Sequence, residues 1–367
     1  MCKTMVASMF EDLLDHQGDS DKVKAPSNPS YKVNINRLQG IRASTMQTLT
    51  VFAKADPKLF TPEQLMLLQP YIENLTSDDL HLFRSVIVIY RYSMPVLTSR
   101  QNNFLMAVQS SLLKNLTRLP SPELREVVSC LWTISGILNA PDRLIRVTTS
   151  CVTNVQKVVG KPIEAQAEIK RIVRTLYILG LFGHFCDFED QASMFKTSFP
   201  KWRGDSVSGL ITDTIVPFCA PEIEPSVRKA AIESLGHVCQ THAIHFLKPQ
   251  VLHMFDHVFE GQDRDLMKLV LSGVKGFLLL EESRSELCRE DGGDTTHRKG
   301  EQAEEPGRLT QAAYANQNDG VSTSLAQRYL KDIVSISMGS QDLYALVAAE
   351  VMASILRQGL VHPKEVW

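Results

Sequence analysis

The sequence predicts an all-α protein, organised as a superhelical solenoid of antiparallel helix pairs. Apolar residues recur with helical spacing along almost the whole chain of 367 residues, whereas the alternation typical of strands never persists beyond a few residues. Short connections join most successive helices, so neighbours in sequence should pack as antiparallel hairpins. The first helices of successive pairs are separated by about 39–44 residues, an interval typical of stacked helical repeats.

The predicted helices begin and end at recognisable capping signals. Thr76 to Asp79 offer a capping box before a helix that Pro95 ends. Ser121 is the expected capping residue of a later helix, with Pro122 at its first position. Gly160 is expected as the C-terminal cap of the helix that follows. In chain order, the predicted helices cover residues 36–55, 80–92, 101–119, 121–138, 141–160, 163–185, 207–219, 225–241, 243–259, 264–280, 324–338 and 341–358.

One segment carries a complete repeat motif. A proline opens the helix, and Val-Arg, a pair of alanines and Leu-Gly follow it. The small alanines would let the paired helix approach closely, and Arg228 could reach carboxylates or carbonyl ends of the adjacent unit. Together with the repeat interval, this pattern matches HEAT repeats. The residues assigned to the motif are Pro225, Val227, Arg228, Ala230, Ala231, Leu235 and Gly236.

The chain divides into four predicted segments. Residues 1–35 should form an N-terminal helix and a polar linker, and residues 36–280 the HEAT-repeat solenoid. Residues 281–307 are acidic, contain a Gly-Gly pair and lack aromatics, so we expect a disordered insertion, either a solvated loop or a regulated segment. Residues 308–367 should form further HEAT-type helices that are truncated at the C-terminus. A second, shorter insertion over residues 187–205 lengthens one repeat interval.

Composition excludes several classes of protein. The formal net charge is −2 with 22% charged residues, which argues against a strongly basic nucleic-acid module and a strongly acidic disordered chain, although not against a local basic face. No apolar run approaches the ~20 residues of a membrane span, and the first residues lack the order of a secretory signal. The seven scattered cysteines form no CxxC pair, which indicates a reducing compartment, the cytosol or the nucleus.

No catalytic signature is found in the sequence. A phosphate-binding loop and a dinucleotide-binding motif are both missing. Residues 204–209 look like a nucleophile elbow, but the second glycine comes one residue too late and no strand precedes it. Ser206 is better explained as the N-cap of the next helix. We therefore predict no enzyme activity and no cofactor.

A group of cysteine and histidine residues leaves one alternative open. Cys239 precedes His242, and His253 and His257 lie one helical turn apart on the same face of a helix. Such closely spaced pairs are similar to zinc ligands. A helical metalloprotein or enzyme that uses these four residues is therefore one hypothesis for the function of this chain. The surrounding sequence reads as ordinary repeat helix, and we favour structural histidines at an inter-repeat surface. No metal site is predicted.

Basic residues cluster over two predicted helices and the insertion at 187–205. In a solenoid, the turns and one helix layer form a continuous edge, so these side chains could make a positive track on a nearly neutral protein. They could equally form a solvated face or bind an acidic protein. The candidate residues for contact with DNA or a protein partner are Lys157, Lys161, Lys170, Arg171, Arg174, Lys201 and Arg203.

Three stretches carry a resemblance to a known family. They are residues 179–188, residues 220–236 with the repeat motif, and residues 325–365. In their order and rough spacing they resemble the cohesin-loading HEAT proteins of the Nipped-B-like (adherin, sister chromatid cohesion) family, most closely the fungal members. The resemblance covers most of the chain from about Asn36.

The resemblance implies a nuclear scaffold that places cohesin on chromatin, with roles in the cell cycle, DNA repair and transcription regulation. The implied partners are the ATPase heads and kleisin subunit of cohesin together with double-stranded DNA; the ATPase itself resides in cohesin. Family members are much longer, so we expect a fragment, a truncated gene model or a degenerate copy. The helical-repeat partner of these loaders binds the family's N-terminal region, so we expect it not to bind here.

The main alternative is a generic HEAT-repeat adaptor of the transport-receptor or phosphatase-scaffold type. Such an adaptor would bind acidic peptides or proteins and would have no affinity for DNA. Measured DNA binding therefore discriminates between the two hypotheses.

Overall fold

The computed structural model describes residues 2–22, 29–73, 80–97, 101–292, 306–339 and 341–362. Within these ranges every regular element is an α-helix or a short 3-10 helix, in agreement with the predicted all-α class. The chain forms two compact units, Met1–Leu144 and Ile145–Trp367. No helix in the described ranges is both long enough and apolar enough to cross a membrane.

The first unit is built around α5, which packs against α2 and α7. Tyr90 on α5 is fully buried; its hydroxyl donates to the Leu65 carbonyl at 2.9 Å, and its ring meets Phe104 edge to face at 5.8 Å. This polar anchor fixes a short preceding helix on the core. The helices of this unit are α1 (Cys2–Lys22), α2 (Pro29–Ala55), α3 (Pro62–Leu67), α4 (Pro70–Glu73), α5 (Leu80–Ser93), α6 (Asn102–Asn115) and α7 (Ser121–Leu138).

The second unit is organised around α12, which carries the repeat motif and packs against both α9 and α14. Farther along the chain, α16 packs against α14 and α15. The remaining helices are α8 (Asp142–Gln156), which begins just before this unit, α9 (Gln166–Phe185), α10 (Ala192–Ser198), α11 (Val207–Ile215), α12 (Pro225–Thr241), α13 (Pro249–Glu260), α14 (Arg264–Gly292), α15 (Pro306–Gly339) and α16 (Leu343–Arg357).

Glycines allow α9, α12 and α14 to pack backbone against backbone. A Cβ atom added at Gly180 of α9 would lie 2.6 Å from the Cα atom of Ser234 on α12. On the other side of α12, a Cβ atom at Gly273 would lie 3.1 Å from the Cα atom of Gly236. The first contact is too close for any side chain, and the second would require the neighbouring backbone to shift by a few tenths of an ångström. The close approach is thus observed at glycines, one of which, Gly236, belongs to the repeat motif; the role expected of the two alanines stays a prediction.

Ion pairs connect α14 to α16 along the stretch of α14 from Arg264 to Glu282. They are surface pairs, so each contributes at most about 1 kcal/mol to stability. Their members occur in the same order along both helices, and the two helices therefore run parallel. The pairs are Arg264–Asp342 at 3.4 Å, Lys275–Glu350 at 2.6 Å and Glu282–Arg357 at 2.6 Å.

Two predicted helix ends differ in the structure. Ser121 is not the cap of α7 but its first residue: Pro120 adopts the extended cap conformation, and its carbonyl accepts from the Leu124 N–H at 2.9 Å. The predicted helix 243–259 is two elements, a 3-10 helix over Ala243–Leu247 and α13 from Pro249. Gly160 has the left-handed φ of 73° expected of a cap, although α8 ends earlier, at Gln156.

The acidic segment also differs from the expectation. We expected disorder over residues 281–307, yet α14 continues to Gly292. The first acidic side chains are engaged: Glu281 accepts hydrogen bonds from Arg284 and from Asn318 Nδ2, the latter at 3.0 Å. Disorder over residues 293–305 stays a prediction because they lie outside the described residues, as does the capping box at residues 76–79.

The polar linker predicted within residues 1–35 also differs in the structure. The predicted linker is partly helical, because α1 extends to Lys22 and α2 begins at Pro29. The helix predicted over residues 324–338 belongs to the longer α15.

Candidate functional site

All seven candidate basic residues lie in the second unit. Lys157 and Lys161 occupy the turns after α8, the next three lie in the first half of α9, and Lys201 and Arg203 follow α10. Six of the seven are exposed, and Arg174 is half-buried. Whether the seven side chains share one surface stays a prediction.

The register of α9 turns its basic residues away from the core. Ile169 and Ile172 are buried, so Lys170 and Arg171 between them face solvent. Arg171 makes an exposed ion pair with Glu168 at 3.5 Å. Burial lowers the pKa of Arg174, with an opposing effect from Tyr177. Lys170 is therefore better placed than Arg174 to meet a ligand in solvent.

The insertion at 187–205 is an ordered loop, anchored by aromatic residues. Phe188 and Phe195 are buried, with ring centroids 5.6 Å apart. Lys196 Nζ lies 3.2 Å from a carboxylate oxygen of Asp205 and 5.8 Å from the centroid of the Trp202 ring. These contacts hold the exposed stretch that carries Lys201 and Arg203.

A carboxylate fastens this loop to the start of α11. Glu189 accepts hydrogen bonds from the backbone N–H groups of Val207 at 2.8 Å and Ser208 at 3.0 Å. It also accepts from the hydroxyl groups of Ser206 at 3.1 Å and Ser208 at 2.7 Å. Burial acts to raise the pKa of Glu189, but these hydrogen bonds outweigh it, so the pKa lies below its usual value. Glu189 is therefore a charged cap supplied from outside the helix.

Ser206 is the N-cap of α11, as the sequence predicted. Its hydroxyl accepts from the Gly209 N–H at 3.0 Å. The neighbouring Ser208 hydroxyl lies 2.9 Å from Nε2 of the buried His245. Burial and the nearby Lys248 lower the pKa of His245 to about 4, so the imidazole is neutral at pH 7. One polar network thereby joins the loop at 187–205, α11 and the 3-10 helix Ala243–Leu247.

The cysteine and histidine residues of the metalloprotein hypothesis do not form one group. Cys239 is fully buried, and burial raises its pKa. The rings of His253 and His257 are exposed on α13, with centroids 5.0 Å apart, whereas His242 lies at the end of α12 beside His245. Among the residues that the structure describes, no three His, Cys, Asp or Glu side chains converge as metal ligands.

The repeat motif takes the structural positions predicted for it. Pro225 opens α12, and Val227, Ala231 and Leu235 are fully buried, with Ala230 nearly so. Arg228 Nε donates to the Cys219 carbonyl at 3.1 Å, at the end of the preceding 3-10 helix. Of the two partners expected for Arg228, a carboxylate or a carbonyl end of the adjacent unit, it contacts a carbonyl, which lies in the element directly before its own helix.

Comparison with known proteins shows which family the chain is similar to. The family model described as "Sister chromatid cohesion C-terminus" (Nipped-B_C) matches residues 322–367. The solved structure of the Chaetomium thermophilum cohesin loader SCC2, C-terminal fragment, matches with a TM-score of 0.81 and 36% identity, over 99% of this chain and 24% of that chain. The chain is therefore similar to sister chromatid cohesion proteins of the Nipped-B-like family along almost its whole length. The predicted fold class, a HEAT-repeat protein of antiparallel helix pairs, is confirmed by the same match.

Curated relatives of the Nipped-B-like family match along most of the chain. Sister chromatid cohesion protein 2 of Saccharomyces cerevisiae is 24% identical over 322 residues, 87% of this chain and 21% of its own length. Sister chromatid cohesion protein mis4 of Schizosaccharomyces pombe is 24% identical over 339 residues, 89% of this chain and 20% of its own length. The Homo sapiens Nipped-B-like protein is 23% identical over 99% of this chain and 12% of its own length. The chain thus spans about a fifth of the length of the yeast relatives.

Proposed function

We propose that this chain acts as a scaffold segment of a nuclear cohesin loader, binding cohesin and DNA to promote the loading of cohesin onto chromatin. The observation that carries the proposal is the match to the C-terminal fragment of a cohesin loader over 99% of the chain. The names of the yeast relatives, which are sister chromatid cohesion proteins, support the same role.

The proposed mechanism is geometric and needs no catalytic residue in this chain. Helix faces hold the ATPase heads and kleisin subunit of cohesin, while basic side chains hold DNA phosphates. A scaffold that binds the clamped, ATPase-competent arrangement more tightly than the open one shifts the population toward it. Hydrolysis itself remains the work of cohesin.

Exposed positive charge supports the DNA contact. Lys157, Lys161, Lys170, Lys201 and Arg203 are exposed, and none of them forms an ion pair with another described residue. Their charge is therefore available to phosphates. The net charge of −2 does not oppose such binding, because phosphate contacts depend on local charge and on release of counterions.

Neutralising three of these residues tests the DNA contact. The triple substitution Lys170→Gln, Lys201→Gln and Arg203→Gln should weaken binding to a duplex oligonucleotide. It should also flatten the dependence of log K on log salt by about one unit for each phosphate that is no longer neutralised. Fluorescence anisotropy across a salt series measures both quantities, with and without a cohesin head–kleisin complex.

The matched control removes the same charge elsewhere. Lys54, Lys114 and Lys331 are also exposed, and their replacement by glutamine should leave the slope unchanged. If the two triple variants weaken DNA binding equally, the binding depends only on the net charge of the chain, and the assigned surface is contradicted. Salt-dependent DNA binding that cohesin strengthens supports the loader proposal, whereas a folded chain without DNA affinity rejects it in favour of an adaptor.

A further inference from the structure

A groove in the second unit is not used by the proposed DNA contact. It has a volume of about 480 Å³ and lies between the turn that precedes α12 and the outer face of α13. Its apolar lining includes Val216, Pro221, Pro249 and Met254. A groove of this volume fits one or two side chains of a peptide.

Arg228 lines the groove with unused hydrogen-bonding capacity. Its Nε atom is bound to the Cys219 carbonyl at 3.1 Å, which fixes the half-buried side chain. Its two terminal nitrogens have no hydrogen-bond or ion-pair partner among the described residues. A guanidinium group held in this way is suited to a carboxylate, which it can bind through two parallel hydrogen bonds.

Two further donors line the same groove. His253 and His257 both belong to its lining and are exposed on one face of α13. Their ring centroids are 5.0 Å apart, so the two imidazoles present adjacent N–H groups to the same space. The pair that drew attention in the sequence therefore faces a groove rather than a metal-binding group.

The acidic residues near the groove do not cancel these donors. Glu222 is the acidic residue of the lining and is exposed. Asp256 on α13 is already bound by Arg328 at 2.5 Å and by the Tyr329 hydroxyl at 3.0 Å. Glu260 lies 4.0 Å from His257 and is exposed. The half-buried guanidinium group therefore remains open to an acidic ligand.

We propose that this groove binds an acidic segment of a partner protein. An apolar side chain of the segment packs against Val216, Pro221 and Met254, and a neighbouring carboxylate binds the Arg228 guanidinium group and the imidazoles. The apolar lining favours a peptide over a nucleic acid, because a phosphate backbone offers the donors an anion but offers the apolar surface no side chain. The proposal does not depend on the loader function.

Peptide selection on the whole chain tests the groove. Short random peptides displayed on phage are selected on the full chain, and the consensus is synthesised with a fluorescent label. The expected consensus contains Asp or Glu close to Leu, Ile, Met or Phe. In anisotropy titrations with EDTA present, the double variant His253→Glu/His257→Glu should weaken binding at least about tenfold, and Glu222→Gln should strengthen it.

Lys331→Glu is the matched control. Like the double variant it makes the chain more acidic, and Lys331 is exposed on α15 outside the groove lining. Its peptide affinity should equal that of the unsubstituted chain. Circular dichroism confirms that each variant is folded.

Three results would overturn the proposal. The selection yields no acidic and apolar consensus, or the consensus peptide binds the double variant and the unsubstituted chain equally. In the third, no peptide is selected and the double variant loses affinity for a duplex oligonucleotide, which would make the groove a nucleic-acid contact.

Discussion

Replacing Gly180 with alanine is expected to lower the free energy of unfolding by about 3 kcal/mol, the upper end of the usual range for overpacking. The new Cβ atom would lie 2.6 Å from Ser234 Cα and 2.8 Å from the Ser234 carbonyl oxygen. Both atoms belong to the backbone of α12, so no change of rotamer relieves the clash. The two helices must separate along their contact, and α12 also packs against α14.

Guanidinium unfolding followed by circular dichroism measures the effect. Gly320→Ala is the matched control, because a Cβ atom there meets nothing within 4 Å and Gly320 lies inside α15. That substitution should raise the free energy of unfolding by about 0.5–1 kcal/mol. Unfolding of Gly180→Ala at the same denaturant concentration as the unsubstituted chain would show that the helices do not meet at this glycine.

The second large effect is expected from Glu189→Ala, which should lower the free energy of unfolding by about 2 kcal/mol at neutral pH. The substitution removes the acceptor of the Val207 and Ser208 N–H groups and of two serine hydroxyls. The first turn of α11 loses its charged cap, and the loop at 187–205 loses its polar attachment. Hydrogen exchange should accelerate in that loop and at the start of α11.

The effect of Glu189→Ala should depend on pH with a definite sign. The folded-state pKa of Glu189 lies below its usual value of 4.5, so the fold favours the ionised carboxylate. Its stabilisation is fully present above pH 4.5 and is lost as the pH falls through the lowered folded value. The difference in unfolding free energy between the two proteins should therefore shrink on acidification.

Asp190→Ala provides the comparison for this series, because Asp190 is the exposed neighbour of Glu189. This substitution should leave the free energy of unfolding nearly unchanged at every pH. A difference between the unsubstituted chain and Glu189→Ala that stays constant through the acid range would contradict the role of the ionised cap.

The sequence predicted the helices best where periodicity and terminal signals agreed. Helix α12 begins at Pro225 and ends at Thr241 as predicted, because a proline, a buried stripe and a repeat motif all indicate the same bounds. The single predicted helix at 243–259 was wrong, although its sequence contains the reason. Pro249 has no N–H to donate inside a helix, so it starts a new one.

The candidate sites were less predictable because their geometry depends on distant residues. Periodicity on α9 is enough to expose Lys170, but no local pattern connects Glu189 with Val207, 18 positions away. Arg228 was expected to bind carboxylates or carbonyl ends of the adjacent unit. That its terminal nitrogens remain available beside His253 and His257 depends on the packing of α12, α13 and the turn before α12.

The ion pairs between α14 and α16 have a consequence for how these two helices can move against each other. Sliding one helix by a turn, about 5.4 Å, would separate Arg264–Asp342, Lys275–Glu350 and Glu282–Arg357 together. Each pair alone contributes at most about 1 kcal/mol, but a slide must break all three, so together they disfavour it by up to about 3 kcal/mol. Pairs that are individually weak therefore favour one register of α14 against α16.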